Sequence, residues 1–207
     1  MGEIKNIIFD LGGVLLNIDY NKTAVAAEQL GITNFQEMYS QVNADSLFEN
    51  LETGVISETV FYETIKKRIN HTVSNQQIAE VWNAMLLDFR KDSLAFLGPL
   101  SSKYKLYLLS NTNSIHLSRF HEILARETGL SSLDRYFTKT YYSNLIGLRK
   151  PGKEVFYYVL KDGNMTPGET LFIDDTVLNI ESAAAIGIRT WLLKPGEKIE
   201  DIPALNN

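Results

Sequence analysis

Ile7-Ile8-Phe9 is an uninterrupted apolar run that ends on a carboxylate, Asp10, and then breaks at Gly12 and Gly13. A strand buried on both faces of a parallel sheet reads this way, because neither face meets water and no polar alternation is needed. The polar residue at its carboxyl end then falls where open α/β sheets keep their ligand crevice. The two glycines permit tight turns and a close backbone approach to a ligand. Taken alone, Asp-x-Gly-Gly is also an ordinary acidic turn, so its meaning depends on the rest of the chain.

From Tyr20 to Phe89 the pattern is helical. Asn21 to Leu30 stops at Gly31, Phe35 to Val42 follows, and Asp45 to Glu52 stops at Gly54. Ser57 starts a helix with Phe61, Ile65 and Ile69 on one face, and Ser74 with Gln77 forms a capping box. Behind that box Ile78, Val81, Trp82, Met85, Leu86 and Phe89 make one stripe, which predicts a helix running to Phe89. Beyond Asp92 helices and strands alternate, the mark of a parallel sheet with helical crossovers. Strands are expected at Lys105–Leu109, Thr138–Tyr142, Thr170–Ile173 and Ile188–Leu193. Helices are expected at Leu94–Leu100, kinked or ended early by Gly98-Pro99, and at Ile115–Arg126, Gly152–Lys161 and Val177–Ile186. The tail after Pro195 is polar and is expected to pack loosely.

The chain has 207 residues, 44% of them hydrophobic and 22% charged, enough for one full core and a smaller second module. No apolar run reaches the roughly 20 residues of a membrane helix, and Asp10 interrupts the only stretch that could serve as a signal sequence. Asn6 stands where a myristoylation motif starting at Gly2 needs Ser or Thr. With no cysteine there are no disulfides, thiolate metal sites or cysteine nucleophile, which predicts a cytoplasmic protein. A net charge of −5 with both signs scattered argues against nucleic acid as the main partner, the lack of a long apolar run argues against a membrane, and a small anionic substrate fits a locally positive site. The oligomeric state leaves no signal.

Asp10, Ser110, Lys150 and the Asp174-Asp175 pair all fall at strand or loop ends that a parallel sheet would gather at one edge. Singly, Ser110-Asn111 and Asp174-Asp175-Thr176 each read as a helix N-cap, and Lys150-Pro151 as a surface lysine before a helix. Jointly they pose an electrostatic problem. Two like charges about 4 Å apart repel by roughly 4 kcal/mol at an effective dielectric near 20. Three acids in one cleft therefore need protons or a cation, and Mg²⁺ suits oxygen ligands in a site without His or Cys.

Phe9-Asp10-Leu11-Gly12, Leu109-Ser110-Asn111-Thr112-Asn113, Gly147-Leu148-Arg149-Lys150-Pro151 and Phe172-Ile173-Asp174-Asp175, in this order, resemble the four motifs of the haloacid dehalogenase-like superfamily. The resemblance covers about Ile4 to Leu193. It is greatest to the bacterial α-D-glucose-1-phosphate phosphatase branch and more distant to the phosphatase domain of soluble epoxide hydrolase. It implies a Rossmann-like three-layer sandwich with a mainly parallel sheet, formed by residues 1–16 and 91–207, and an inserted helical cap at residues 17–90. It also implies that Asp10 is a nucleophile forming an aspartyl phosphate. Mg²⁺ would be held by Asp10, the Gly12 carbonyl and Asp175, with Asp174 ranked below Asp175. Ser110 and the Asn111 backbone would hold the phosphoryl group, Lys150 would neutralise its charge, and Asn179 would support the acids.

One departure stands out: where most phosphatases of the superfamily carry a second Asp as general acid and base, this chain has Gly12. General acid–base catalysis contributes about 10² to 10⁴ in rate. Its loss predicts a preference for good leaving groups, such as the anomeric oxygen of a hexose 1-phosphate. The expected function is thus a Mg²⁺-dependent phosphohydrolase of a small phosphorylated metabolite, with a metal-independent 2-haloacid dehalogenase and a catalytically weakened binding protein as alternatives.

Overall fold

The computed structural model describes residues 3–32, 46–69 and 72–205. The helix expected over Phe35–Val42 lies outside the described residues, as does His71. Five strands form one parallel sheet: β1 (Asn6–Phe9), β4 (Lys105–Ser110), β5 (Lys139–Tyr142), β6 (Thr170–Asp174) and β7 (Arg189–Leu192), in the order β5-β4-β1-β6-β7. Phe9 pairs with Leu108 on one side and Ile173 on the other, so the carboxyl ends of β4, β1 and β6 lie level.

Because successive strand residues face opposite ways, each strand feeds two cores. Ile7, Phe9, Leu106, Leu108, Leu171 and Ile173 pack on one face against α5 (Lys91–Ser101) and α6 (Ser114–Thr128). Ile8, Tyr107, Leu109, Tyr141 and Phe172 pack on the other against α8 (Lys153–Asp162), whose Val155, Phe156 and Val159 are fully buried, and α9 (Val177–Ala184). The result is the expected three-layer α/β sandwich.

A third apolar cluster belongs to the helical stretch: α1 (Tyr20–Gln29), α2 (Ser46–Glu52), α3 (Glu58–Lys66) and α4 (Asn75–Asn83). Phe48, Phe61 and Trp82 meet at its centre, with ring centroids 4.9 to 6.0 Å apart. Ser74 and Gln77 make the capping box, Gln77 Oε1 accepting from the Ser74 N–H at 2.9 Å.

Three expectations need correction. The helix behind that box stops at Asn83, and Leu86–Phe89 is a strand, β3, antiparallel to β2 (Leu16–Ile18). Met85 and Leu15 carbonyls accept from Asp19 and Arg90, so the ribbon is stitched at both ends. A partner strand some 70 residues away outbids the local helical period, as only tertiary context can. Pro99 does not cut its helix short, which continues to Ser101, because a proline in the last turn interrupts little. The tail is not loose: Ile199, Ile202 and Leu205 are at most 3% exposed and belong to the sheet's core. Their three-residue spacing suits 3₁₀ turns that put one face inward.

Candidate active site

The level strand ends bring Ser110, Asp10 and Asp174 side by side. Asp10 follows the last residue of β1 and is anchored by its N–H to the Ile173 carbonyl at 2.9 Å. Lys150 arrives from the loop between α7 (Ser143–Ile146) and α8, with its side chain 2% exposed. Its Nζ donates to Asp10 Oδ1 at 2.6 Å and to Asp174 Oδ2 at 2.7 Å. The reading of Lys150 as a surface lysine therefore fails; an ammonium can be buried here because two carboxylates receive it.

Asp174 is fully buried and saturated: besides Lys150 it accepts from the Thr176 N–H at 2.8 Å and from Asn179 Nδ2 at 3.1 Å to each oxygen. Asp175 is less buried and accepts from the Thr176 hydroxyl at 3.2 Å. Gly13, at φ +72°, lets the loop after β1 lie against Asp175; a Cβ there would collide with its carboxylate. Asp10, Asp174 and Asp175 each offer an oxygen, all within 4.8 Å of one another.

Burial is the main force pushing the Asp10 carboxyl up to about 7, Lys150 opposing it and Asp174 and Asp175 adding to it. Burial works against the Lys150 charge, but Asp10 and Asp174 outweigh it and its affinity for the proton rises. An acid this close to neutrality beside two more is the condition a divalent cation relieves. The donors, all hard oxygens, fit Mg²⁺.

Two residues hold this arrangement through side-chain roles that the sequence does not signal. The Asn111 side chain clamps the Lys150 backbone, donating to its carbonyl and accepting from its N–H, both at 2.8 Å. Ser143 accepts from the Thr112 N–H at 2.8 Å and donates to the Thr112 carbonyl at 2.9 Å, tying the loop after β4 to α7. Each bond joins residues more than 30 positions apart, and neither residue type stands out without its partner. Ser110 is buried at the site, its hydroxyl 3.4 Å from the Asn111 carbonyl.

Above this floor is a cavity of about 90 Å³, lined by the catalytic candidates and by Ile18, Tyr20, Glu52, His116 and Arg149 among others. Arg149 crosses to the helical stretch, Nη1 to Glu49 at 2.6 Å and Nη2 to the buried Glu52 at 3.0 Å. His116 Nε2 donates to the Trp82 carbonyl at 3.0 Å, and its ring stacks on the indole at 4.7 Å. Burial lowers its pKa to about 4, so it is neutral. Burial first, then Asp175, Asp10, Glu52 and Asp174, raise the pKa of the Tyr20 phenol.

The chain is similar to proteins that share this whole architecture. A D-ribitol-5-phosphate phosphatase of Bacteroides thetaiotaomicron is 30% identical over 188 residues, 91% of each chain. A HAD family enzyme from the same organism, crystallised with magnesium, superposes with a TM-score of 0.89 at 35% identity over the full length of both chains. Its complex with magnesium and inorganic phosphate gives 0.84 at 35% identity, covering 95% of this chain and 97% of that one. Residues 4–187 match the haloacid dehalogenase-like hydrolases. With its parallel sheet, buried lysine and carboxylate trio at the strand ends, the chain belongs to that hydrolase family.

Proposed function

We propose that this hydrolase removes phosphate from a small sugar or sugar-alcohol phosphate through an aspartyl-phosphate intermediate on Asp10. The enzyme is a phosphatase and its cofactor is Mg²⁺. The reading rests above all on Lys150 bridging Asp10 and Asp174 inside a trio of carboxylates. Lys150 holds Oδ1 of Asp10 and so orients the other oxygen toward phosphorus. Its charge offsets the negative charge shared by nucleophile and phosphoryl group, the interaction that lowers this kind of barrier most. The Ser110 hydroxyl and the Asn111 backbone N–H receive phosphoryl oxygens. Asp10, the Gly12 carbonyl and Asp175 would hold Mg²⁺, which when bound withdraws charge from the phosphoryl oxygens and keeps Asp10 ionised. Asp174 ranks below Asp175 as a ligand because its oxygens already serve Lys150, Thr176 and Asn179.

Residues 17–90 act as a cap that sets the size and chemistry of the substrate. A cavity of about 90 Å³ falls well short of the roughly 300 Å³ at which drug-sized sites begin, so the leaving group is short. Glu52 and Arg149 on its wall suit hydroxyl groups. The leaving-group argument from Gly12 favours a hexose 1-phosphate, and the ribitol-5-phosphate phosphatase relative favours a terminal phosphate on an acyclic polyol. A metal-independent dehalogenase has no use for three clustered acids, and nothing in the site favours it.

Hydrolysis of p-nitrophenyl phosphate, with and without a chelator and with Asp10→Asn as control, tests the chemistry. Chelation and the substitution should each reduce turnover by at least about 10³-fold; activity that survives both disproves the mechanism. Glucose 1-phosphate, glucose 6-phosphate and ribitol 5-phosphate compared at fixed Mg²⁺ then rank the substrates.

A further inference from the structure

The first turn of α6 carries a side chain that the phosphatase chemistry leaves without a task. Asn113 caps this helix, its Oδ1 accepting from the His116 N–H at 3.0 Å. Helical side chains lean toward their own N-terminus. The imidazole of His116 therefore leans back toward the loop after β4, where Ser110 and Asn111 stand, and it lines the cavity with them. The residue is only 6% exposed. Its ring is fixed from two sides: it stacks on the Trp82 indole, 23° from parallel, and Nε2 lies 3.0 Å from the Trp82 carbonyl.

A carbonyl oxygen only accepts, so the proton of the neutral ring sits on Nε2 and Nδ1 keeps a bare lone pair. Among the described residues no donor reaches Nδ1. Nor is it sealed in: the buried polar atoms without a partner include Nε2 of His121 and Nδ2 of Asn113, but not this one. Its opening is the cavity that the ring lines.

A lone pair repels anionic phosphoryl oxygens and attracts an O–H, so Nδ1 serves the alcohol portion of the substrate and not its phosphate. The wall on the side of β2 and β3 offers nothing comparable. Ile18, Met85 and Leu86 are apolar there, and the Ile18 Cδ1 comes within 2.5 Å of a Cβ placed on Gly12, so it takes the space beside that glycine. We infer that His116 is a specificity-determining residue, its Nδ1 accepting a hydrogen bond from a hydroxyl on the alcohol portion of the substrate. The inference rests on the phosphatase reading above. It narrows the substrates to phosphate esters with a further hydroxyl near the ester, which sugars and polyols have and plain alkyl phosphates lack. A buried, rigid acceptor discriminates between them because a substrate without the hydroxyl leaves it unpaired.

The test separates the two ring nitrogens, since a glutamine amide reaches the place of Nε2 and an asparagine amide that of Nδ1. Wild type, His116→Gln and His116→Asn are assayed at saturating Mg²⁺ on pentyl phosphate and on whichever of glucose 1-phosphate, glucose 6-phosphate and ribitol 5-phosphate the wild type turns over fastest. The ratio of the two kcat/KM values is read within each protein, so that a general loss from disturbed packing cancels. In favour of the hydroxylated ester it should exceed about tenfold in the wild type, fall about tenfold in His116→Gln and stay within about threefold of wild type in His116→Asn. An unchanged ratio in His116→Gln overturns the role, and so does an equal fall in both variants, the mark of a packing residue. A second readout leaves position 116 intact: in Asp10→Asn carrying histidine labelled with nitrogen-15, the hydroxylated ester should shift the His116 Nδ1 resonance and leave Nε2 in place, while pentyl phosphate moves neither. An Nδ1 resonance that does not respond overturns the role. A wild type that hydrolyses p-nitrophenyl phosphate without preferring the hydroxylated ester to pentyl phosphate also overturns it and leaves the phosphatase reading standing; activity on no ester removes that reading as well.

Discussion

On the sheet side of the cavity, Lys150, Asp10, Asp174, Asn111 and Asn179 are joined by buried or part-buried bonds of 2.6 to 3.1 Å, and Asp10, Asp174 and Asn111 sit on or beside strand ends. On the helical side, among the described residues, Arg149 makes the charged link to Glu49 and Glu52, where the arginine is 23%, Glu49 49% and Glu52 5% exposed. Exposed ion pairs contribute about 0–1 kcal/mol, whereas a buried one resists the loss of either partner. The contrast teaches that the candidate reacting groups are held by interactions costly to break. The helical wall has an exposed pair, Arg149 with Glu49, beside one that reaches a buried acid, Glu52.

The largest effect expected from this contrast is at Lys150. Lys150→Met leaves Asp10 and Asp174 buried with no cation, and should destabilise the metal-free protein by about 3–5 kcal/mol in urea unfolding. Adding Mg²⁺ should recover part of that loss by binding the folded state. An unaltered unfolding midpoint without metal would mean that the floor is no more tightly held than the wall.

Next is the seam where the two sides meet, His116 against Trp82. Buried His116 titrates near 4, against 6.5 when unfolded. Between those values the unfolded chain binds the extra proton, so stability is full above about pH 6.5 and falls as pH drops toward 4, by about 3 kcal/mol in all. Asp10, pushed up to about 7, acts with the opposite sign over much of the same range, since there the folded state holds the proton. The His116 contribution is therefore read as the difference in unfolding free energy between wild type and His116→Gln across pH 4–7. A difference that does not change with pH would show the seam to be open to water.

The smallest effect is at the wall itself. Arg149→Ala should raise KM about tenfold, near 1.4 kcal/mol of binding, while kcat stays within about threefold. A fall in kcat like that of the Lys150 variant would erase the distinction between floor and wall.

Much of the floor was legible in the chain because each part sits where a continuous apolar run stops: Phe9 before Asp10, Leu109 before Ser110, Ile173 before Asp174. A strand end is a local event, and a parallel sheet aligns such ends whatever lies between them. Asn111 and Ser143 were not legible in their roles, since their partners are 39 and 31 residues away and a polar residue after a strand looks the same whether it caps a helix or clamps a loop. The same blindness turned β3 into the last turn of a helix and left Ile199, Ile202 and Leu205 as a loose tail.

The order of the residues by itself determined which side chains end the strands, that their charges need a divalent cation, and that position 12 carries no acid. Only the tertiary structure decided which side chain fills the space beside Gly12, that Asp174 is committed to Lys150 and Asn179, and that Tyr20 and Glu52 face the cavity. Local sequence sets backbone period and the chemistry on offer. Which groups meet across the cleft depends on contacts between residues far apart in the chain, and those exist only once the sheet and its helical insert have packed together.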